Sequence, residues 1–163
     1  MTLKYKDTLK LKGRATLTAT DPKTGQVVKV IKSKNLIVTA GKALVGNMLI
    51  DLDAQHDVGL TWCALGSNNT APAIGQTQLV NEGGGAAMRK AITSKSLLVN
   101  VVTLSTFFTG AQSNIAIEEA GIFGTSTAGA AVNSGEMFSR WLASFDNSLG
   151  TYDITLDYVL QIA

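Results

Sequence analysis

Strict alternation of apolar and polar residues near both ends of the chain restricts the fold more than any other feature. Between Thr8 and Thr20, Leu9, Leu11, Gly13, Ala15, Leu17 and Ala19 alternate with Lys10, Lys12, Arg14, Thr16, Thr18 and Thr20. Tyr152, Ile154, Leu156, Tyr158, Leu160 and Ile162 alternate in the same way with Thr151, Asp153, Thr155, Asp157, Val159 and Gln161. Successive side chains on a strand point to opposite faces, so each stretch predicts a long strand with one face on a core. The second stretch keeps its pattern to the last residues, which predicts a C-terminus locked into a sheet. Asp21-Pro22-Lys23-Thr24-Gly25 supplies a turn after the first stretch: proline presets φ and glycine admits positive φ. Val27–Ile31 is therefore expected to return as its hairpin partner.

Beyond Leu36-Ile37-Val38, Thr39 is placed to cap a helix whose apolar positions Leu44, Val45, Met48 and Leu52 follow three- and four-residue spacing. Its expected job is to plug one end or face of a sheet. Gly59–Leu65 reads as a short strand, Gly66–Gln78 as a loop, and Gly83-Gly84-Gly85 as a bend. Ala91–Thr109 is so rich in β-branched and aromatic residues that it reads as one central strand buried on both sides. Thr125–Ser134 is a loop of small residues. Many strands, one helix and polar, glycine-rich connections predict a mainly β fold: an antiparallel β-sandwich, with a jelly roll as one form of it, and one short helix near residues 40–52. The chain of 163 residues suffices for a single domain with one core, carrying a basic N-terminal strand or arm over about residues 1–34.

Charge is distributed unevenly. Residues 1–42 hold ten Lys or Arg against two Asp, a balance of +8, and residues 43–163 hold four against ten, a balance of −6; together they give the net +2. Such a basic segment suits an acidic protein surface, the acidic body of a neighbouring copy, or nucleic acid. The candidate interface is the run Lys4, Lys6, Lys10, Lys12 and Arg14. Tyr5 is the only aromatic residue there and no groove-reading helix is apparent, which makes nucleic acid the weaker reading.

Little in the sequence suggests chemistry. Cys63 is the single cysteine, sits in the apolar run Leu60–Leu65, and reads as a buried, inert thiol. The only histidine, His56, lies between Asp53 and Asp57 in what reads as a solvated loop, open at most to adventitious cation binding. Glu118 and Glu119 are adjacent, so on a strand they face opposite ways and cannot flank one glycosidic bond. Arg140 is expected to bond Glu119 or Glu136 across a sheet. No catalytic residue, cofactor site or metal site is expected. Nowhere do 18 apolar residues run uninterrupted, and Met1–Lys6 has no secretory character, so the expectation is a protein made and folded in a cytoplasm, with no membrane partner.

Three segments in fixed order, LGSNNTAPAIGQTQLVNE from Leu65 to Glu82, EAGIFG from Glu119 to Gly124 and GEMFSRWL from Gly135 to Leu142, together resemble a group of small bacteriophage virion proteins. In those proteins a "GTxxTAPxxxDTxLxNE" loop precedes an "EaGlFn" turn and a "GxmfaR" strand. Asn35–Lys42 similarly resembles their "NLIvnxGr" lead into a short helix. Gly75 and Gln76 stand where an acidic residue is common, and Gly124 where Asn is usual. The resemblance implies a non-enzymatic structural protein of the virion, assembled in the host cytoplasm. It implies first a capsid decoration or cement protein bound to the major capsid protein lattice, and otherwise a tail, baseplate or fibre-associated protein. Other virion proteins are the implied partners, and a homo-oligomer is expected, a trimer before a dimer.

Overall fold

A computed structural model of the chain describes residues 9–83 and 88–163. The strands are β1 (Leu11–Thr20), β2 (Val27–Ile37), β3 (Leu60–Gly66), β4 (Arg89–Ala91), β5 (Ser94–Leu98), β6 (Val101–Phe108), β7 (Ala116–Gly124), β8 (Glu136–Asp146) and β9 (Asp153–Ile162). Between β2 and β3 lies the helix α1 (Thr39–Leu49). The mainly β, antiparallel fold with one short helix is as expected. The sandwich or jelly roll is not confirmed: among the described residues nine strands form one sheet, ordered β4-β3-β7-β8-β2-β1-β9-β6-β5 and curled into a half-barrel.

The alternating termini pair with each other. β1 matches β9 without a break from Leu11 opposite Ile162 to Thr20 opposite Asp153, burying Ala15, Leu17 and Ala19 beside Ile154, Leu156 and Tyr158. Asp21 Oδ1 accepts the N–H of Lys23 at 2.8 Å and Gly25 takes φ +70°, which turns the chain into β2 as expected.

β2 explains the single sheet. Its first part pairs with β1, while Asn35, Leu36 and Ile37 pair with Trp141, Arg140 and Ser139 of β8. It thereby joins a β4-β3-β7-β8 wing to a β1-β9-β6-β5 wing. Trp141 and Tyr158 measure the curl. Three strand spacings separate β8 from β9, about 14 Å in a flat sheet, yet their rings lie 5.6 Å apart, centroid to centroid. The concave side is thus filled from both wings, by Leu65, Ile122 and Trp141 from one and Leu17, Phe108 and Leu156 from the other. Asn35 ties the corner by donating to Ser139 Oγ at 2.6 Å and to the Tyr158 hydroxyl at 2.7 Å.

Three local expectations change. α1 is capped by Val38 with no side-chain bond, and the Thr39 N–H donates instead to the Ile74 carbonyl at 2.9 Å. The helix ends at Leu49, so Leu52 lies past it, and only Gly41 and Leu44 are buried. Ala91–Thr109 is not one central strand: β5 and β6 form a hairpin turning at Val99 and Asn100, and β5 is an exposed edge. Apolar richness alone misled, since Leu97, Leu98 and Val99 are 67%, 75% and 89% exposed. The bend expected at Gly83–Gly85 falls mostly outside the described residues; Gly83 itself is buried and its N–H donates to the Leu65 carbonyl at 2.8 Å.

Gly41 is the contact point of α1. A Cβ there would collide with the backbone carbonyl of Phe138 in β8. Gly41→Ala should therefore destabilise the protein by about 1–3 kcal/mol in urea unfolding, the usual cost of overpacking a rigid contact; an unchanged midpoint would refute the close approach.

Burial of Cys63 in the core pushes its thiol up to about 12 from 9.0, and burial likewise raises Tyr158 above its ordinary 10.0. Both groups stay protonated in the folded chain after the unfolded chain has released its protons. Their stabilisation is thus complete below the unfolded values and is lost as pH rises toward the folded ones. Between pH 9 and 10 the loss should come from Cys63, at most about 1.4 kcal/mol per pH unit. Unfolding curves of the parent and Cys63→Ala should diverge over that interval; parallel pH profiles would contradict it.

Candidate functional site

The convex side of the β3-β7-β8 wing carries two buried Arg–Glu pairs. Ala120 and Trp141 fill the concave core, and their neighbours Glu119 and Arg140 face the other way, each 0% exposed. Arg140 Nε donates to Glu119 Oε2 at 2.6 Å, and Arg140 Nη1 to Gln76 Oε1 at 3.2 Å. Glu119 also accepts the backbone N–H groups of Val80, at 3.0 Å, and Asn81, at 2.7 Å. One carboxylate therefore holds a strand arginine and the returning end of the Gly66–Gln78 loop together.

The second pair joins Glu82 and Arg89. Arg89 Nη1 bonds both Glu82 oxygens, at 3.0 and 2.9 Å, and its remaining nitrogens donate to the carbonyls of Gly129 and Ser134. Its guanidinium lies 3.9 Å from the centre of the Phe123 ring, a cation–π contact. Asn133 N–H donates to Glu82 at 3.2 Å. The small-residue loop Thr125–Ser134 is thus ordered against its own chain.

Glu119 and Arg140 are brought together, whereas Glu136 lies elsewhere, with Oε1 3.6 Å from His56 Nε2. Six residues lie between Glu82 and Arg89 in sequence and neither sits in an alternating pattern, so no local signal pairs them. His56 is not solvated, being only 5% exposed. Its Nδ1 lies 2.8 Å from Asp53 Oδ1 and its Nε2 3.1 Å from Asn47, so its ring is enclosed by protein contacts. Among the described residues, no group of three His, Cys, Asp or Glu is placed to hold a metal ion.

The basic segment forms a surface of different character. Lys12 and Arg14 project outward from β1, and Lys32 and Lys34 from β2, all exposed. Register sets Arg14 directly opposite Lys34, and Lys32 opposite Thr16. Asp157 is the acid nearest in register, opposite Thr16 on β9, and among the described residues no ion pair reaches any of the four cations. Like charges directly opposed on paired strands cost stability, by up to about 1 kcal/mol. Lys10 is exposed just ahead of β1, and Lys4 and Lys6 lie outside the described residues. The Lys10, Lys12 and Arg14 of the candidate interface are therefore joined by Lys32 and Lys34, which only the hairpin register could add.

Comparison with protein-family models, with curated proteins and with solved structures finds no match for this chain.

Removing one member of a buried ion pair strands its partner, at about 3–5 kcal/mol. Arg140→Ala should lose that much in urea unfolding. Glu119→Ala should also speed amide exchange at Val80 and Asn81, because their acceptor is gone. An Arg140→Ala loss below about 1 kcal/mol would show that the pair is not a structural clamp.

Proposed function

We propose that this chain is a non-enzymatic structural protein of a bacteriophage particle, a capsid decoration protein whose β1–β2 face adheres to acidic surface on the major capsid protein lattice. The observation that carries the reading is the outward cationic stripe of Lys12, Arg14, Lys32 and Lys34, with Arg14 and Lys34 directly opposed. A folded chain gains nothing by aligning unpaired cations across a strand pair, whereas an anionic partner converts that repulsion into attraction. The similarity of three segments to phage virion proteins supplies the biological setting. Glu82, Glu119 and Arg140 of those segments sit in the two buried clamps, so the shared pattern is a pattern of scaffold.

Adhesion of this kind works through number. Each exposed charge contact is weak, but copies held on a symmetric lattice raise one another's effective concentration. A tail, baseplate or fibre-associated location would use the same face, and counting copies per particle separates it from the head.

The test is binding of the purified chain to undecorated capsids across a salt series. Affinity should fall as salt screens the face, and Arg14→Glu with Lys34→Glu should weaken binding by at least about tenfold, or about 1.4 kcal/mol. Capsid binding indifferent both to salt and to this double reversal would overturn the assignment of the face. Equal affinity for duplex DNA would favour the nucleic-acid reading instead.

A further inference from the structure

α1 is a ridge between two grooves. One, of about 630 Å³, is apolar and walled by Leu44, Leu60, Leu104 and Leu160. The other, of about 600 Å³, carries Lys10, Lys12 and Lys42 beside Leu11 and Ile37. Val45 and Leu49 line both. Register gathers this region at one end of the sheet: Leu11 opposes Ile162, Gln161 opposes Val101, and Val101 opposes Leu98.

The same end exposes large apolar side chains that the fold does not use. Leu49 is 74% exposed, Ile50 68% and Leu52 54%, and Leu97, Leu98 and Val99 form an uncovered hairpin tip. Val99 is the sharper sign. Its φ is +56°, a left-handed conformation suited to glycine or asparagine and costly for a β-branched residue. A strained, water-facing valine is a poor choice for the isolated chain, which points to a contact that covers it.

What covers it is indicated by charge. Directly after α1, Ile50-Asp51-Leu52-Asp53 is exposed and alternates apolar with acidic side chains. It complements the neighbouring groove, whose walls are apolar and whose rim is basic. Both halves lie beside α1, on one face of one molecule. A surface holding two complementary halves side by side is self-complementary under a two-fold axis, where each half meets the other in the partner.

We propose that this end of the half-barrel is a self-association face. A second copy of the chain docks across a two-fold axis, its Ile50–Asp53 segment lying in the groove rimmed by Lys10, Lys12 and Lys42, with the Leu97–Val99 tips buried at the margin. A three-fold ring would need the complementary halves on separate faces. The inference concerns the purified chain alone and goes beyond the proposed adhesion to capsid.

Sedimentation velocity over a concentration series tests it. The full chain should form dimers, more weakly at high salt. Lys42→Glu and Asp51→Lys should each weaken the dimer by about tenfold or more, and the two combined in one chain should restore it. Val99→Asn should act in opposite directions, raising the melting temperature of dilute monomer by relieving the backbone while weakening association. Leu49→Ser should weaken association with the circular dichroism of the fold unchanged. A chain that stays monomeric at all concentrations, that forms trimers, or whose double reversal is no better than either single one overturns the proposal. A monomer that still binds capsid through its β1–β2 face overturns this proposal and leaves that one standing.

Discussion

β2 has to satisfy two sets of neighbours with one backbone, and the architecture follows from how it does so. Its first residues complete the ladder begun by β1, and only Asn35, Leu36 and Ile37 are available to β8. A strand shared in this way bends the sheet at a fixed place, and the bend brings Trp141 within contact of Tyr158 across the concave side. Polar groups at the bend are costly to leave unpaired once water is excluded, and there the Asn35 amide nitrogen is satisfied while its Oδ1 is not. Asn35 donates both to Ser139 and to Tyr158, and Gly13 leaves room for them, since a Cβ there would strike both Asn35 and the Tyr158 hydroxyl. Curl, core and corner are one interaction seen from three sides.

The convex side of the other wing meets a different constraint. Ladder-type bonds there are few, a Gly66–Glu82 bridge and the Ser67 N–H donating to the Asn81 carbonyl among them, so the loops are held largely by charge. Burying an ion pair seldom adds net stability, because desolvation offsets most of the attraction. Its value here is geometric. Glu119 accepts two loop N–H groups as well as Arg140, and Arg89 spends its nitrogens on Glu82, Gly129 and Ser134. Each pair thereby fixes one loop in one position. The segments 65–82, 119–124 and 135–142 supply much of this machinery, which explains how a loop so rich in Gly, Asn, Pro and Thr can be ordered.

Two surfaces, which share Lys12 at their margin, remain among the described residues when the scaffold is accounted for, and they differ in kind. The β1–β2 face is a row of charge on a rigid strand pair, suited to a flat anionic partner and sensitive to salt. The α1 end is concave and apolar with charge at its edges, suited to a partner that brings both an apolar segment and acids. Strain at Val99 and repulsion between Arg14 and Lys34 mark the two surfaces independently. Each is a local choice that opposes the fold, and such choices tend to sit where a protein does its work.

By itself the sequence determined what repeats with a short period: the strands at both ends, the hairpin turn between β1 and β2, the presence of one helix, and the basic character of the first strands. Those features depend on residues next to one another, and period-two patterning records them directly. It also suggested the Arg140 and Glu119 contact. The Ala91–Thr109 run could not be read correctly, because apolar richness is the same whether a strand lies at the centre of a sheet or forms an edge hairpin. His56 looked solvated because its neighbours in sequence are acidic, while the fold sets Asn47 of α1 and Glu136 of β8 against its ring. Only the tertiary structure decided that there is one curled sheet and that Lys32 and Lys34 join Lys12 and Arg14. Only it paired Glu82 with Arg89 and set acidic and basic halves side by side at α1. Strand order, register and convergence of distant loops are settled by long-range packing and desolvation, for which a linear pattern carries no local mark.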